Sequence, residues 1–194
     1  MSVGERAAVA VPPRVLTAEE FSALPEDVLD RHELVRGRLE ELDTVVPGVR
    51  HAHVMARIGH FLMQYVEPRN LGLVVVGDPG FILERSPDTV RGPDVAFVRA
   101  DRVPPHDELD GFAELAPDLA VEVLSPSDRP GRVQAKVTDY LRTGVPLVWV
   151  VDPRAQTVTV HVPTDPPRIL GADERLDGGD VLPGFACAVR AILA

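Results

Sequence analysis

Asp94, Glu122 and Lys136 are the residues of this chain whose types and settings could do chemistry. Glu122 stands inside the apolar run DLAVEVL (118–124), where a carboxylate is costly unless it is paired, protonated or bound to a metal. Asp94 opens PDVAFV (93–98), where strand alternation puts it on one face with Ala96 and Val98. If the two runs lie side by side, the carboxylates converge. Two carboxylates completed by waters is a usual setting for Mg²⁺, with Mn²⁺ as a substitute. Lys136 is the single lysine among 20 basic residues, the rest being arginines. An ammonium is a compact point charge with an adjustable pKa, unlike the wide, permanently charged guanidinium. Two carboxylates, a divalent ion and an ammonium make a minimal set for hydrolysing a phosphodiester. Ordinary readings stay open beside this one: Asp94 as a turn residue after Pro93, Glu122 as the partner of an arginine, Lys136 as a chance survivor.

The elements that must position these residues can be read from periodicity and punctuation. Residues 1–15 read as a flexible, Pro-containing arm and 16–194 as one domain. Thr17 to Glu20 forms a capping box that opens a short helix ending near Pro25. HELVRGRLEEL (32–42) predicts a hairpin turning at Arg36-Gly37, ended by Pro47 and Gly48. Residues 50–66 carry apolar side chains at helical spacing and are closed by Pro68. Three strands, 71–76, 81–84 and 93–98, suggest a meander, followed by a polar, Pro-rich loop over 101–117. Residues 118–124 predict a central strand buried on both faces. Residues 132–142 form an amphipathic helix stopped by Gly144, and 145–151 and 157–162 are further strands. A buried strand, a helix and another buried strand imply a parallel crossover, so the fold class is α/β with a mixed sheet. Lys136 would return over the strand of Glu122, with Tyr140 one turn on and both near the edge of the buried helix face. The tail around VLPGF (181–185) is expected to dock on the outside.

Composition sets the class. At 194 residues and 45% hydrophobic, the chain can bury one core. One cysteine, Cys187, excludes an intrachain disulfide, and no run is long and apolar enough to span a membrane, so a cytoplasmic protein is expected. The net charge of −10 runs against a nucleic-acid partner unless the carboxylates gather at a metal or a dimer gathers arginines into a groove. Asp152-Pro153 reads as a turn and Ser125 to Asp128 as loop and cap chemistry, with no paired histidine to make Ser125 a nucleophile. His51, His53 and His60 lack metalloprotease spacing, and no glycine-rich phosphate loop is present. A glycosidase acid pair is disfavoured by 5% aromatics and one tryptophan, Trp149, set in an apolar strand.

PDVAFV, PDLAVEVLSPSD, the lone lysine followed by DYLRTGV, VWVVDP, HELVRGRLEEL and the helix led by His51 together resemble the Uma-two family of restriction-endonuclease-like proteins, within the PD-(D/E)XK nuclease fold. The resemblance covers roughly residues 16–190. It implies a three-layer α/β/α restriction-endonuclease-like core with a central mixed sheet (αβββαβ), dependence on Mg²⁺, DNA as substrate and a homodimer. By position it makes Asp94 and Glu122 metal ligands and Lys136 the catalytic lysine, supplied from the helix because Leu124 occupies the place two residues after the acid. That displaced lysine also occurs in silent members of the fold, so a protein- or nucleic-acid-binding module is the alternative. Glu33 matches an acidic residue on the early strand, as a second ligand or base, or as a solvent-facing charge. His51 and Tyr140 fall in supporting positions, with a helix-surface role open for His51.

Overall fold

The computed structural model describes residues 15–43, 48–106 and 109–194. The arm at 1–14 and the hairpin's ending at Pro47 lie outside these residues. Thr17 caps α1 (Ala18–Ser22): its hydroxyl accepts the Glu20 N–H while the Glu20 carboxylate accepts the Thr17 N–H, the reciprocal box that the sequence predicts. A second short helix, α2 (Glu26–Leu29), follows Pro25. The predicted hairpin is β1 (His32–Val35) with β2 (Arg38–Glu41). Arg36 and Gly37 turn it with positive φ at both positions, 50° and 72°, the geometry that matches strand twist in a two-residue turn.

α3 (Val49–Val66) buries Val54, Ile58, Leu62 and Val66 along one stripe. After it run β3 (Gly72–Val76), β4 (Phe81–Glu84), β5 (Thr89–Arg91), β6 (Val95–Arg99) and β7 (Leu119–Val123). Then come α4 (Pro130–Arg142), β8 (Leu147–Asp152), β9 (Thr157–His161), β10 (Arg168–Gly171), β11 (Arg175–Gly178), β12 (Leu182–Ala188) and α5 (Val189–Leu193). The main sheet has the order β10-β9-β8-β7-β6-β3. Only β7 and β8 are parallel, joined across α4 by the predicted crossover, so the sheet is mixed. The stripe of α3 packs on one face, against Val95, Phe97, Leu119, Val121 and Trp149. Val137 and Tyr140 of α4 pack on the other, against Ala120, Val148 and Val150. The result is three layers, with α3, β3, β6, β7, α4 and β8 supplying the αβββαβ order.

Two expectations are corrected. Residues 81–84 do not sit in a meander between β3 and β6. β3 pairs directly with β6, while β4 leaves the main sheet to pair with β5, a strand that the sequence reading missed. Together they extend the hairpin into a small sheet of order β2-β1-β5-β4, whose Leu34, Ile82 and Val90 pack with Ala18 and Phe21 of α1. The tail does not dock outside either. Leu182, Phe185, Val189 and Ile192 belong to the main core, where Phe185 stacks on Trp149 with centroids 5.9 Å apart. Among the described residues no helix is long and apolar enough to cross a membrane.

Candidate active site

The antiparallel register of β6 and β7 pairs Val95 with Val121 and Ala96 with Ala120, so one step further along it Asp94 lies opposite Glu122. Both carboxylates thus reach one end of the sheet, as the sequence predicts, and each is below 10% exposed. Asp94 is held on both oxygens: Oδ1 accepts from His51 Nε2 at 3.0 Å, and Oδ2 accepts the Val123 N–H. The contact draws His51 into the site rather than leaving it on the helix surface. It also raises the imidazole pKa, chiefly through that hydrogen bond.

Glu122 faces α4. Its Oε2 lies 2.8 Å from Lys136 Nζ, and its Oε1 accepts from the Tyr140 hydroxyl at 2.7 Å. The partner of the buried carboxylate is therefore the lone lysine and not an arginine. Burial pushes the Glu122 carboxyl up, with Lys136 pulling it down and Asp94 and Glu33 adding repulsion. Burial alone would lower the Lys136 pKa, but Glu122, Glu33 and Asp94 more than offset it and hold the ammonium charged. Tyr140 is fully buried at the centre of the helix face, a correction to its expected place near the edge, because α4 seats the ring over Ala120 and Val148.

Glu33 is also buried, which overturns the solvent-facing reading. Its Oε1 accepts the Gly92 N–H at 2.9 Å and sits 3.2 Å from Lys136 Nζ, and its Oε2 pairs with Arg91 at 2.7 Å. Lys136 also donates to the Gly92 carbonyl at 2.9 Å. Three groups of this site escaped the sequence reading. Arg91 and Asp139 form a buried pair at 2.6 Å. Asp78, in the loop after β3, lies against Asp94; loss of hydration and that neighbouring charge push it up to about 6. Gly92 permits this approach, since a Cβ there would come within 2.9 Å of the Asp78 carbonyl oxygen. The only signal for Asp78 was the turn sequence Gly77-Asp78-Pro79-Gly80, which reads as punctuation.

Glu33, His51, Asp78, Arg91, Asp94, Glu122 and Lys136 line a cleft of about 630 Å³ between the main sheet, the small sheet, α3 and α4, with Tyr140 and Asp139 packed behind it. Other candidates lie apart from it or serve the backbone. His53 bonds the Ala194 carbonyl, Asp152 Oδ1 caps its own turn through the N–H groups of Arg154 and Ala155, and Asp128 accepts the Ser125 N–H at the rim. The donor chemistry suits a hard divalent cation, because Asp94 and Glu122 offer carboxylate oxygens at adjacent strand ends. Among the described residues no three His, Cys, Asp or Glu side chains are grouped to hold a metal ion, so waters would complete the shell.

The profile of the Uma2 family, described as "Putative restriction endonuclease", matches residues 18–190. No curated protein matches the chain. A solved structure titled as that of a "putative nuclease belonging to DUF820" from Anabaena variabilis ATCC 29413 is similar at 20% identity, with a TM-score of 0.79, covering 92% of this chain and 97% of that one. At that identity the likeness is one of fold. The family profile spans the main sheet, the small sheet and every residue of the cleft just described, and on that match the chain belongs to the Uma2 family of restriction-endonuclease-like proteins.

Proposed function

We propose that the protein is a Mg²⁺-dependent endonuclease that hydrolyses DNA phosphodiester bonds, with Mn²⁺ able to substitute. The observation that carries this reading is Glu122, set opposite Asp94 across the strand pair and 2.8 Å from the only lysine. Asp94 and Glu122 would hold the ion. When bound, it supplies a water of lowered pKa and neutralises charge at the scissile phosphate. Lys136, the catalytic lysine, places a compact positive charge where the attacking water and the developing oxyanion meet. Tyr140 and His51 fix the rotamers of Glu122 and Asp94 through their hydrogen bonds. Glu33 has one oxygen on Arg91 and the other on Gly92 and Lys136, an arrangement that suits orienting the ammonium better than binding the ion or acting as base. A homodimer, which would bring arginines of two chains around one duplex, is part of the proposal.

One observation favours a silent binding module instead. All three hydrogens of the Lys136 ammonium have acceptors nearby, Glu122, Glu33 and Gly92, which leaves none for a water or phosphate while they persist. Plasmid and single-stranded DNA cleavage in Mg²⁺, Mn²⁺ or EDTA separates the two. The nuclease reading expects metal-dependent nicking that Glu122→Gln and Lys136→Met both abolish. A folded wild type that neither cleaves nor binds Mn²⁺ would instead select the binding module.

A further inference from the structure

Arg91 plays no part in the chemistry above, yet its side chain is 3% exposed and touches the site from a different sheet. Its Nε and Nη2 both reach Asp139 Oδ2, at 3.1 and 2.6 Å, while Nη1 reaches Glu33 Oε2 at 2.7 Å. Asp139 lies three residues after Lys136 on α4, Glu33 lies on β1 and Arg91 on β5. One guanidinium therefore ties three elements together, using its two edges as separate donors.

The contacts form a line of alternating charge: Asp139, Arg91, Glu33, Lys136, Glu122. Glu33 stands between two cations and Lys136 between two carboxylates, at 2.8 Å from Glu122 and 3.2 Å from Glu33. How strongly Glu33 attracts the ammonium depends on how far Arg91 already satisfies it. We propose that Arg91 is a positioning residue: by neutralising Glu33 it keeps the Lys136 ammonium on Glu122, an inference that rests on Lys136 being the working cation of the proposed nuclease. Without Arg91, Glu33 is a buried carboxylate whose one remaining cation is Lys136, and it draws Nζ away from Glu122. A lysine at position 91 would not replace it, since one ammonium cannot serve Asp139 and Glu33 from opposite edges.

Lys136 is the only lysine, so protein grown on lysine labelled with ¹⁵N at Nζ gives one side-chain ammonium resonance, read without metal or substrate. Arg91→Met is expected to shift that resonance and to lower kcat on the order of 10- to 100-fold with KM little changed, the range for outer partners of a metal site. Adding Glu33→Gln removes the orphaned carboxylate. The double variant should then return to the resonance position and cleavage rate of Glu33→Gln alone. A folded double variant no better than Arg91→Met overturns the proposal, because a merely structural arginine gives no such rescue. Should Arg91→Met fail to fold, the comparison moves to the Glu33→Gln/Asp139→Asn background, where of the three carboxylates around Arg91 only Glu40, 3.5 Å from Nη1, keeps its charge. There, an unchanged resonance on adding Arg91→Met supports the proposal and a shifted one overturns it. If the wild type cleaves no DNA, the resonance still decides the role of Arg91, so the two readings fail separately.

Discussion

Glu122 was legible because a carboxylate in the middle of an apolar strand must be explained by something, and Lys136 because no other lysine competes with it. Arg91 and Asp78 were not. Arginine is common in this chain, so one more beside a glycine carries no signal, and an aspartate between Gly77 and Pro79 looks like turn chemistry. Tyr140 was found by spacing, but its role came from one hydrogen bond. Tyr140→Phe keeps the ring and leaves Glu122 Oε1 without its donor, which is expected to cost about 1–3 kcal/mol. Urea denaturation of the metal-free protein checks this, and an unchanged midpoint would mean that the hydroxyl contributes nothing to the fold.

Among the elements, helices and central strands were readable because each has a long apolar period, whereas β5 spans only Thr89–Arg91. With that short strand invisible, β4 had no partner other than its neighbours, and a meander was the natural reading. The small sheet is secured by Asp88, which accepts the N–H groups of Ala18 and Ser86 at 2.8 and 3.0 Å and pairs with Arg85 at 2.9 Å. Burial raises its pKa, but these donors outweigh it and hold the carboxyl below its ordinary 3.8. A depressed carboxylate contributes stability above its unfolded pKa and loses it as pH falls through the folded one. Asp88→Asn should therefore destabilise by about 1–3 kcal/mol near neutral pH, and the gap to wild type should narrow as pH drops from 4 toward 2. Denaturation midpoints across that range test it, and a constant gap would rule the ionised form out as the cause. At the other end of the chain, Phe185 fills the core beside Trp149. Phe185→Ala should cost about 3–5 kcal/mol by calorimetry, whereas a tail resting on the surface would cost little.

For the whole molecule, the net charge of −10 and the cluster of carboxylates pull the same way: both are relieved by a bound cation. If the proposed metal site holds, Mg²⁺ or Mn²⁺ at about 100 times its Kd should add roughly 2.7 kcal/mol to the wild type and almost nothing to Asp94→Asn. A thermal shift equal in both proteins would show that the ion acts elsewhere. Duplex DNA binding should likewise be weaker in EDTA than in Ca²⁺, since without a cation the cleft presents carboxylates to phosphates. Burial on both faces and the scarcity of a residue type are written locally, so the α/β class, the parallel crossover, the central strands and the candidacy of Asp94, Glu122 and Lys136 could be read from the chain alone. Which sheet owns β4, the place of the tail in the core, and the gathering of Arg91, Asp139 and Asp78 around those three residues emerged from the folded chain. Those facts depend on contacts between segments tens of residues apart, and the charges that make them look alike in sequence wherever they fall.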